Sequence, residues 1–225
     1  MQLDKTIRQN QHGDFIVIYA NHFDEGIEYA YQNKVPQIQF KKALGNDYKD
    51  LQVDFKSLDL LSTHLRILSI QDTLKNVINP DSIYALKNLE KIYLEKQRFT
   101  LDISRFEKLN HLGTYYWKGL INIEKAYSLK SIVLLKLPDI NLERISELKG
   151  LETLHVYSSK IQSLEGIQNL SIKKLSLARN NLLEDIEAIK ELNKLERLNI
   201  EKCKKIIDDE IIEEMKSKIK VTIIK

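Results

Sequence analysis

Cys203, five histidines and two acidic clusters are the residues of this chain that could make or break covalent bonds. The histidines are His12, His22, His64, His111 and His155; no two stand four apart, and none is near the cysteine. This spacing lacks the paired ligands of a zinc site. The seven glycines form neither G-x-G-x-x-G nor a P-loop, the turns whose backbone N–H groups cradle phosphates. No G-x-S-x-G elbow presents a serine nucleophile. Glu184, Asp185 and Glu187 follow the run NNLL, and Asp208, Asp209 and Glu210 form a second cluster. Both read as acids opening a helical turn, where the backbone dipole favours negative charge, rather than as an acid/base pair. The expectation is a protein that is not an enzyme, with no catalytic, cofactor-binding or metal-binding residues.

Composition narrows the class. The chain has 225 residues, of which 43% are hydrophobic and 30% charged, so it is neither disordered in character nor membrane-embedded. A net charge of +3 is too small to imply a nucleic-acid partner. The opening MQLDKTIRQN lacks the basic start and apolar run of a secretory signal, and no apolar stretch approaches the roughly 18 residues needed to cross a bilayer. One cysteine excludes an intrachain disulfide and suits a reducing compartment, so a cytoplasmic protein is expected. Heavy use of Ile, Lys and Asn points to an AT-rich bacterial genome.

The elements that position side chains come from repetition. LEKIYLEKQRF from Leu89, LETLHVYSSKI from Leu151, IKKLSLARNNL from Ile172 and LERLNIEKCKKI from Leu195 carry apolar residues at positions 1, 4 and 6 and again near 11. Weaker copies start at Leu65, Leu112 and Leu129, and the successive gaps are 24, 23, 17, 22, 21 and 23. The gap of 17 marks either a trimmed turn or a different register around Trp117. Positions 4 and 6 lie on one side of an extended strand, so Leu154, Val156, Leu175 and Leu177 are expected to point into the core. Between strands, apolar residues fall at steps of three. Ile161, Leu164, Ile167 and Leu170 are one set; Ile186, Ile189, Leu192 and Leu195 are another; Ile83, Leu86 and Leu89 are a third. Steps of three suit short 3₁₀ or helical returns.

This spacing resembles the leucine-rich repeats of the short class found in internalin-like bacterial proteins and in a protein phosphatase regulatory subunit. The resemblance covers Leu65 to about Ile206, nearly two-thirds of the chain. It implies an α/β right-handed solenoid with a parallel concave β-sheet and short 3₁₀/α returns, capped at both ends. Position 9, where such repeats carry an asparagine that bonds the turn, holds Asn180 and Cys203. Elsewhere it holds Thr73, Gln97, Leu120, Leu137 and Ser159, so the early repeats are expected to turn less regularly. In that slot Cys203 is a structural residue rather than a nucleophile.

Residues 207–225 read as a closing helix and strand, with Asp208 or Asp209 as N-cap, Ile211, Ile212, Met215 and Ile219 as the buried face, and VTII from Val221 as the strand. Residues 1–60 read as an α/β cap continuous with the repeats of 61–206 rather than a separate domain. FIVIYA from Phe15 is a strand, Phe23, Ile27, Ala30 and Tyr31 face inward from a helix ending near Asn33, and QIQF and LQVDF are further strands. Tyr48, Leu51 and Val53 also match positions 1, 4 and 6, so a degenerate repeat is expected to begin there.

Outward strand positions then become the binding surface. In this register Thr114, Tyr116, Lys118 and Gly119 are the outward set of the third repeat. Across all repeats eight basic residues against three acidic ones give the face +5, more than the whole chain carries. The expected partner-binding residues are Lys91, Tyr93, Tyr116, Lys118, His155, Tyr157, Lys174, Arg179 and Arg197. Tyrosine and arginine bury area while keeping a polar handle, which suits protein interfaces. The expectation is a non-enzymatic protein-interaction module that holds a partner with an acidic patch on its concave face; its sharper form is a bacterial immunity protein that masks a toxin. Nucleic-acid binding through the basic sheet is the second reading, disfavoured by the interrupting glutamates and the lack of Arg-rich runs. An enzyme hosted in the N-terminal cap is the third, with no motif there to support it, and a secreted host-directed effector is a further alternative.

Overall fold

The computed structural model describes residues 4–42, 51–206 and 210–225. Tyr48, Asp208 and Asp209 lie outside the described residues. In chain order the elements are β1 (Arg8–Asn10), β2 (Gly13–Tyr19), α1 (Phe23–Gln32), β3 (Gln37–Lys41), β4 (Gln52–Asp54), β5 (Ile67–Ile70), β6 (Asn76–Ile78) and β7 (Lys91–Leu94). There follow β8 (Leu101–Asp102), β9 (His111–Tyr115), β10 (Leu120–Ile121), β11 (Ser131–Leu135), β12 (Thr153–Tyr157), β13 (Lys174–Ala178), β14 (Arg197–Glu201), α2 (Glu210–Lys216) and β15 (Lys220–Ile224). The chain divides into two compact units, Met1–Leu109 with Trp117–Ile121, and Asn110–Tyr116 with Asn122–Lys225. No helix among the described residues is long and apolar enough to cross a membrane.

In the first unit β1 and β2 form an antiparallel hairpin, and β2, β3, β5 and β7 then pair in parallel. Ile16, Ile38, Leu68 and Ile92 align across these strands, as do Ile18, Phe40, Ile70 and Leu94, and all eight are buried. Each such side chain contributes about 1.5–3 kcal/mol on leaving water. Two-strand ladders, β4 with β6 and β8 with β10, run beside the return segments. Helix α1 buries Phe23, Ile27 and Ala30, while Tyr31 is 48% exposed. Tyr31 therefore departs from the expected inward face; it sits one residue past Ala30 and turns outward with the helical period. A run of ring contacts joins α1 to the repeats: Phe23 meets Phe40 at 4.8 Å and Phe55 at 5.8 Å, Phe55 meets Phe99 at 5.6 Å, and Phe99 meets Trp117 at 6.5 Å.

The degenerate repeat at the N-terminal side begins elsewhere than expected. Val35, Ile38 and Phe40 are buried at positions 1, 4 and 6, and β3 joins the main parallel ladder. Val53 belongs instead to β4, which pairs with β6 in the return layer. Both segments carry the same 1-4-6 spacing, and pairing with Leu68 and Ile70 selects the first.

In the second unit β9, β11, β12, β13, β14 and β15 pair in that order, all parallel and without a register shift. Leu112, Ile132, Leu154, Leu175, Leu198 and Val221 line up on the inner face. So do Thr114, Leu134, Val156, Leu177, Ile200 and Ile223. The returns are short 3₁₀ turns at Ile123–Lys125, Glu143–Ile145 and Glu187–Glu191. Apolar residues at steps of three along the segments between strands are buried, including Ile161, Leu164, Ile167, Ile186 and Ile189. Helix α2 buries Ile211, Ile212 and Met215, and β15 completes the ladder on β14.

Pairing with β11 corrects the register of the third repeat. Leu112 aligns with Ile132 and Thr114 with Leu134, so this repeat starts at Leu109 and the short gap disappears. Thr114 is 1% exposed and points inward, its hydroxyl donating to the Tyr115 carbonyl at 2.9 Å. Lys118 and Gly119 stand in a turn after Trp117, off the strand, and Tyr116 lies one residue beyond the end of β9.

With that register, position 9 holds Trp117 rather than Leu120, and a polar ladder appears. In the first unit Gln97 donates from Nε2 to the carbonyls of Asp72 at 3.0 Å and Glu95 at 2.8 Å, and Trp117 donates from Nε1 to the Phe99 carbonyl at 2.9 Å. In the second, Asn180 Nδ2 donates to the Val156 carbonyl at 2.8 Å and Ser159 Oγ to the Tyr157 carbonyl at 3.1 Å. Cys203 Sγ lies 3.5 Å from the carbonyls of Leu177 and Glu201, and burial pushes its thiol pKa up. A thiol buried and held protonated supports the turn and is a poor nucleophile. At position 8, Lys136, Ser158, Arg179 and Lys202 adopt left-handed backbone with φ of 59°, 50°, 55° and 52°, whereas Asp72, Lys96 and Tyr116 do not. The last four repeats thus share one turn, and the earlier ones use others.

Candidate partner-binding face

An unshifted parallel ladder sets side chains in rows that cross the strands. On the outward side of the second unit the first row is His111, Ser131, Thr153, Lys174, Arg197 and Lys220. The next is Gly113, Val133, His155, Ser176, Asn199 and Thr222, and the third is Tyr115, Leu135, Tyr157, Ala178, Glu201 and Ile224. A fourth row, just past the strands, holds Lys136, Ser158, Arg179 and Lys202 on the shared left-handed turn.

The rows separate two kinds of chemistry. On β9, β11 and β12 the half-buried Tyr115, Val133, Leu135 and Tyr157 make an apolar and aromatic patch. On β13 and β14 the exposed Lys174 and Arg197 form one basic edge, continued by Lys220 on β15, and the exposed Arg179 and Lys202 form another. Between the edges Ser176 and Ala178 on β13 are small and buried, so the floor is low there, while the exposed Asn199 and half-buried Glu201 stand beside them on β14. Arg179 reaches Glu201 at 3.1 Å, an exposed pair worth little to stability but enough to offset the carboxylate in this part of the face.

Polar groups of the face are tied together in pairs. His155 Nδ1 lies 2.8 Å from the Tyr157 hydroxyl, with the rings edge-on at 5.8 Å. Asn199 Nδ2 donates to Ser176 Oγ at 3.2 Å, and His111 Nδ1 lies 2.9 Å from Ser131 Oγ. Burial, and after it the charge of Lys174, hold His155 below the usual histidine pKa. Burial, and then Glu201, raise the Tyr157 phenol. This network fixes the side chains in place, which lowers the ordering cost of binding.

Of the residues expected at the interface, His155, Tyr157, Lys174, Arg179 and Arg197 share this face. Tyr116 does not reach a strand position. Its ring lies 5.2 Å from the Arg144 guanidinium, which is itself clamped on Asp139 by bonds of 2.6 and 3.0 Å. Tyr115 takes the outward slot instead; the polar Thr114 in an inward slot concealed this, and the run Leu109, Leu112, Trp117 was the available signal. Lys91 and Tyr93 are outward on β7 in the first unit, where the surface is more closed: Gln37, Ile67 and Ser69 are buried. The N-terminal hairpin engages that surface. Asn10 Nδ2 donates to Gln37 Oε1 at 3.3 Å, and His12 Nδ1 lies 3.3 Å from Lys91 Nζ. Lys118 is an exposed turn residue of the same unit.

The acidic cluster at Glu184, Asp185 and Glu187 has structural partners. Asp185 Oδ1 accepts from the Glu187 backbone N–H at 3.0 Å, capping the 3₁₀ turn, and Glu184 pairs with Lys205 at 2.5 Å.

One strand per repeat, parallel pairing in chain order and a position-9 ladder define a leucine-rich-repeat solenoid, and the chain is a leucine-rich-repeat protein. No family model matches it. It is 30% identical over 185 residues to the volume-regulated anion channel subunit LRRC8B of Homo sapiens, covering 74% of this chain and 23% of that protein. The Mus musculus counterpart is 31% identical over 172 residues, covering 68% and 21%. The chain thus spans less than a quarter of the curated relatives it matches. Among solved structures it resembles the leucine-rich repeat domain of the type III effector XopL (TM-score 0.57, 16% identity, 88% of this chain and 79% of that one). It also resembles an internalin (inlF) from Listeria monocytogenes (TM-score 0.54, 16% identity, 83% and 56%). At this identity the structural matches show a shared fold.

Proposed function

We propose that the chain is a non-enzymatic interaction module that captures an acidic protein partner on the outward face of β9 and β11–β15. The observation that carries this is the apolar patch of Tyr115, Val133, Leu135 and Tyr157 lying beside basic rows at Lys174, Arg197, Arg179 and Lys202. Aromatic and aliphatic anchors supply affinity, and the basic rows steer an acidic partner and set the encounter rate. In its sharper form the module is a bacterial, cytoplasmic immunity protein whose partner is a toxin. Lys91, Tyr93 and Lys118 belong to the other unit and are proposed as secondary contacts at most.

The test is capture of the native partner by the full chain, followed by calorimetry with Tyr157→Ala and with the double change Lys174→Glu and Arg197→Glu. Loss of about 2 kcal/mol for the tyrosine and a salt-dependent loss for the charges are expected. Unchanged affinity for both would overturn the proposal. Binding of duplex DNA that weakens steeply with salt would instead favour nucleic acid.

A further inference from the structure

Resting on the docking face proposed above, we infer that the partner's docking element is an acidic amphipathic α-helix laid across the strands of β9 and β11–β15. Three properties of the face point to this. First, strands β11–β14 are hydrogen-bonded on both sides, so the face offers side chains and no free backbone groups. An extended segment lying on it would leave its own N–H and C=O groups without partners, whereas a helix satisfies them internally.

Second, the width fits. The basic edge at Lys174 and Arg197 and the one at Arg179 and Lys202 stand five positions apart along their strands, which is about 16 Å. A helix with its side chains is about 10–12 Å across. It fits between the edges, over Ser176 and Ala178 on β13 and beside Asn199 and the Arg179-paired Glu201 on β14, with acidic side chains on both flanks reaching a cation. Six strands about 4.8 Å apart span about 24 Å, the length of roughly 16 helical residues.

Third, the face is polar in sense. Its β9–β12 end is built around the apolar and aromatic patch of Tyr115, Val133, Leu135 and Tyr157, with Lys136 at its margin, and its β13–β15 end is mainly basic. The helix therefore carries its large apolar side chains toward Leu135 and Tyr157 and its acidic flanks toward Lys174 and Arg197. This also sets it apart from a nucleic-acid strand, whose evenly spaced phosphates would place negative charge over the apolar end as well.

The experiment uses the full chain and a synthetic helical probe, lactam-stapled, with leucines along one face of its first half and glutamates on both flanks of its second. Controls are the same composition broken by two prolines, a version with lysine for glutamate, and a short DNA duplex. Fluorescence anisotropy should show the stapled acidic peptide binding at least about tenfold tighter than every control. Leu135→Ser should weaken it about tenfold, and so should the double change Lys174→Glu and Arg197→Glu, whose side chains are exposed and leave the fold intact. Equal binding of the proline-broken peptide, insensitivity to both sets of changes, or preference for DNA would overturn the inference. If native-partner capture still depends on these residues while the peptide is ignored, the helix falls and the docking face stands. If capture is also insensitive, both fall.

Discussion

The side-chain oxygen of Asn180 accepts the backbone N–H of Ser159 at 2.9 Å, and both residues are buried. Through Nδ2 the same side chain also donates to the Val156 carbonyl, so one asparagine satisfies two backbone groups of the preceding repeat. Asn180→Ala strands both away from water. At about 1–3 kcal/mol for each unsatisfied buried group, an overall loss near 3 kcal/mol is expected from urea unfolding. A loss under half a kcal/mol would show that the ladder does not support the turn.

Gly166 has φ of +106°, and a Cβ there would overlap the backbone of Leu142 and Glu143. Gly13 has a similar φ of +104° with open space around it. Gly166→Ala should therefore cost well over 2 kcal/mol and Gly13→Ala about 1 kcal/mol, the conformational strain alone. Thermal melts of the two variants side by side separate crowding from strain, and equal shifts would contradict the packing at Gly166.

The register of the third repeat predicts opposite responses at neighbouring positions. Thr114→Lys buries an unpaired ammonium among Leu134 and its neighbours and should destabilise by several kcal/mol, as should Leu154→Asp on β12. Lys118→Glu, in an exposed turn, should change stability by less than about half a kcal/mol. Tolerance of lysine at position 114 would restore the register that starts at Leu112.

Stability should fall on mild acidification. His155 is held below the usual histidine pKa by burial and then by Lys174, and His64 by burial first. As pH drops below the ordinary histidine value of 6.5, the unfolded chain gains protons that the folded one refuses, so stability present at neutral pH is lost. Melting temperatures measured between pH 7.5 and 5.5 should decline, and His155→Gln should flatten part of that slope. A slope unchanged by the substitution would mean that His155 is not desolvated.

What was legible in the sequence was local. The 1-4-6 spacing at Leu151, Leu154 and Val156 or at Ile172, Leu175 and Leu177 predicts strand, inward face and repeat, because side-chain alternation along a strand needs no knowledge of neighbours. Steps of three in the returns and the inward residues of α1 and α2 were readable for the same reason, apart from Tyr31 and from Ile219, which lies past the end of α2 and is half-buried. The tertiary structure decided what depends on pairing. Thr114 is inward because Leu134 lies beside it, and Tyr115 is therefore outward, although composition alone favours the reverse. Gln97 and Ser159 take the place of asparagine because backbone groups of the preceding repeat come within reach, the Asp72 carbonyl for Gln97 and the Leu137 N–H for the Ser159 hydroxyl. His12 meets Lys91 across 79 residues of chain, a contact between the N-terminal hairpin and β7 that no local spacing announces. The division of the remaining face into an apolar end and a basic end arises from six strands stacking without a register shift, and hydrogen bonds between strands, not spacing within them, set that alignment.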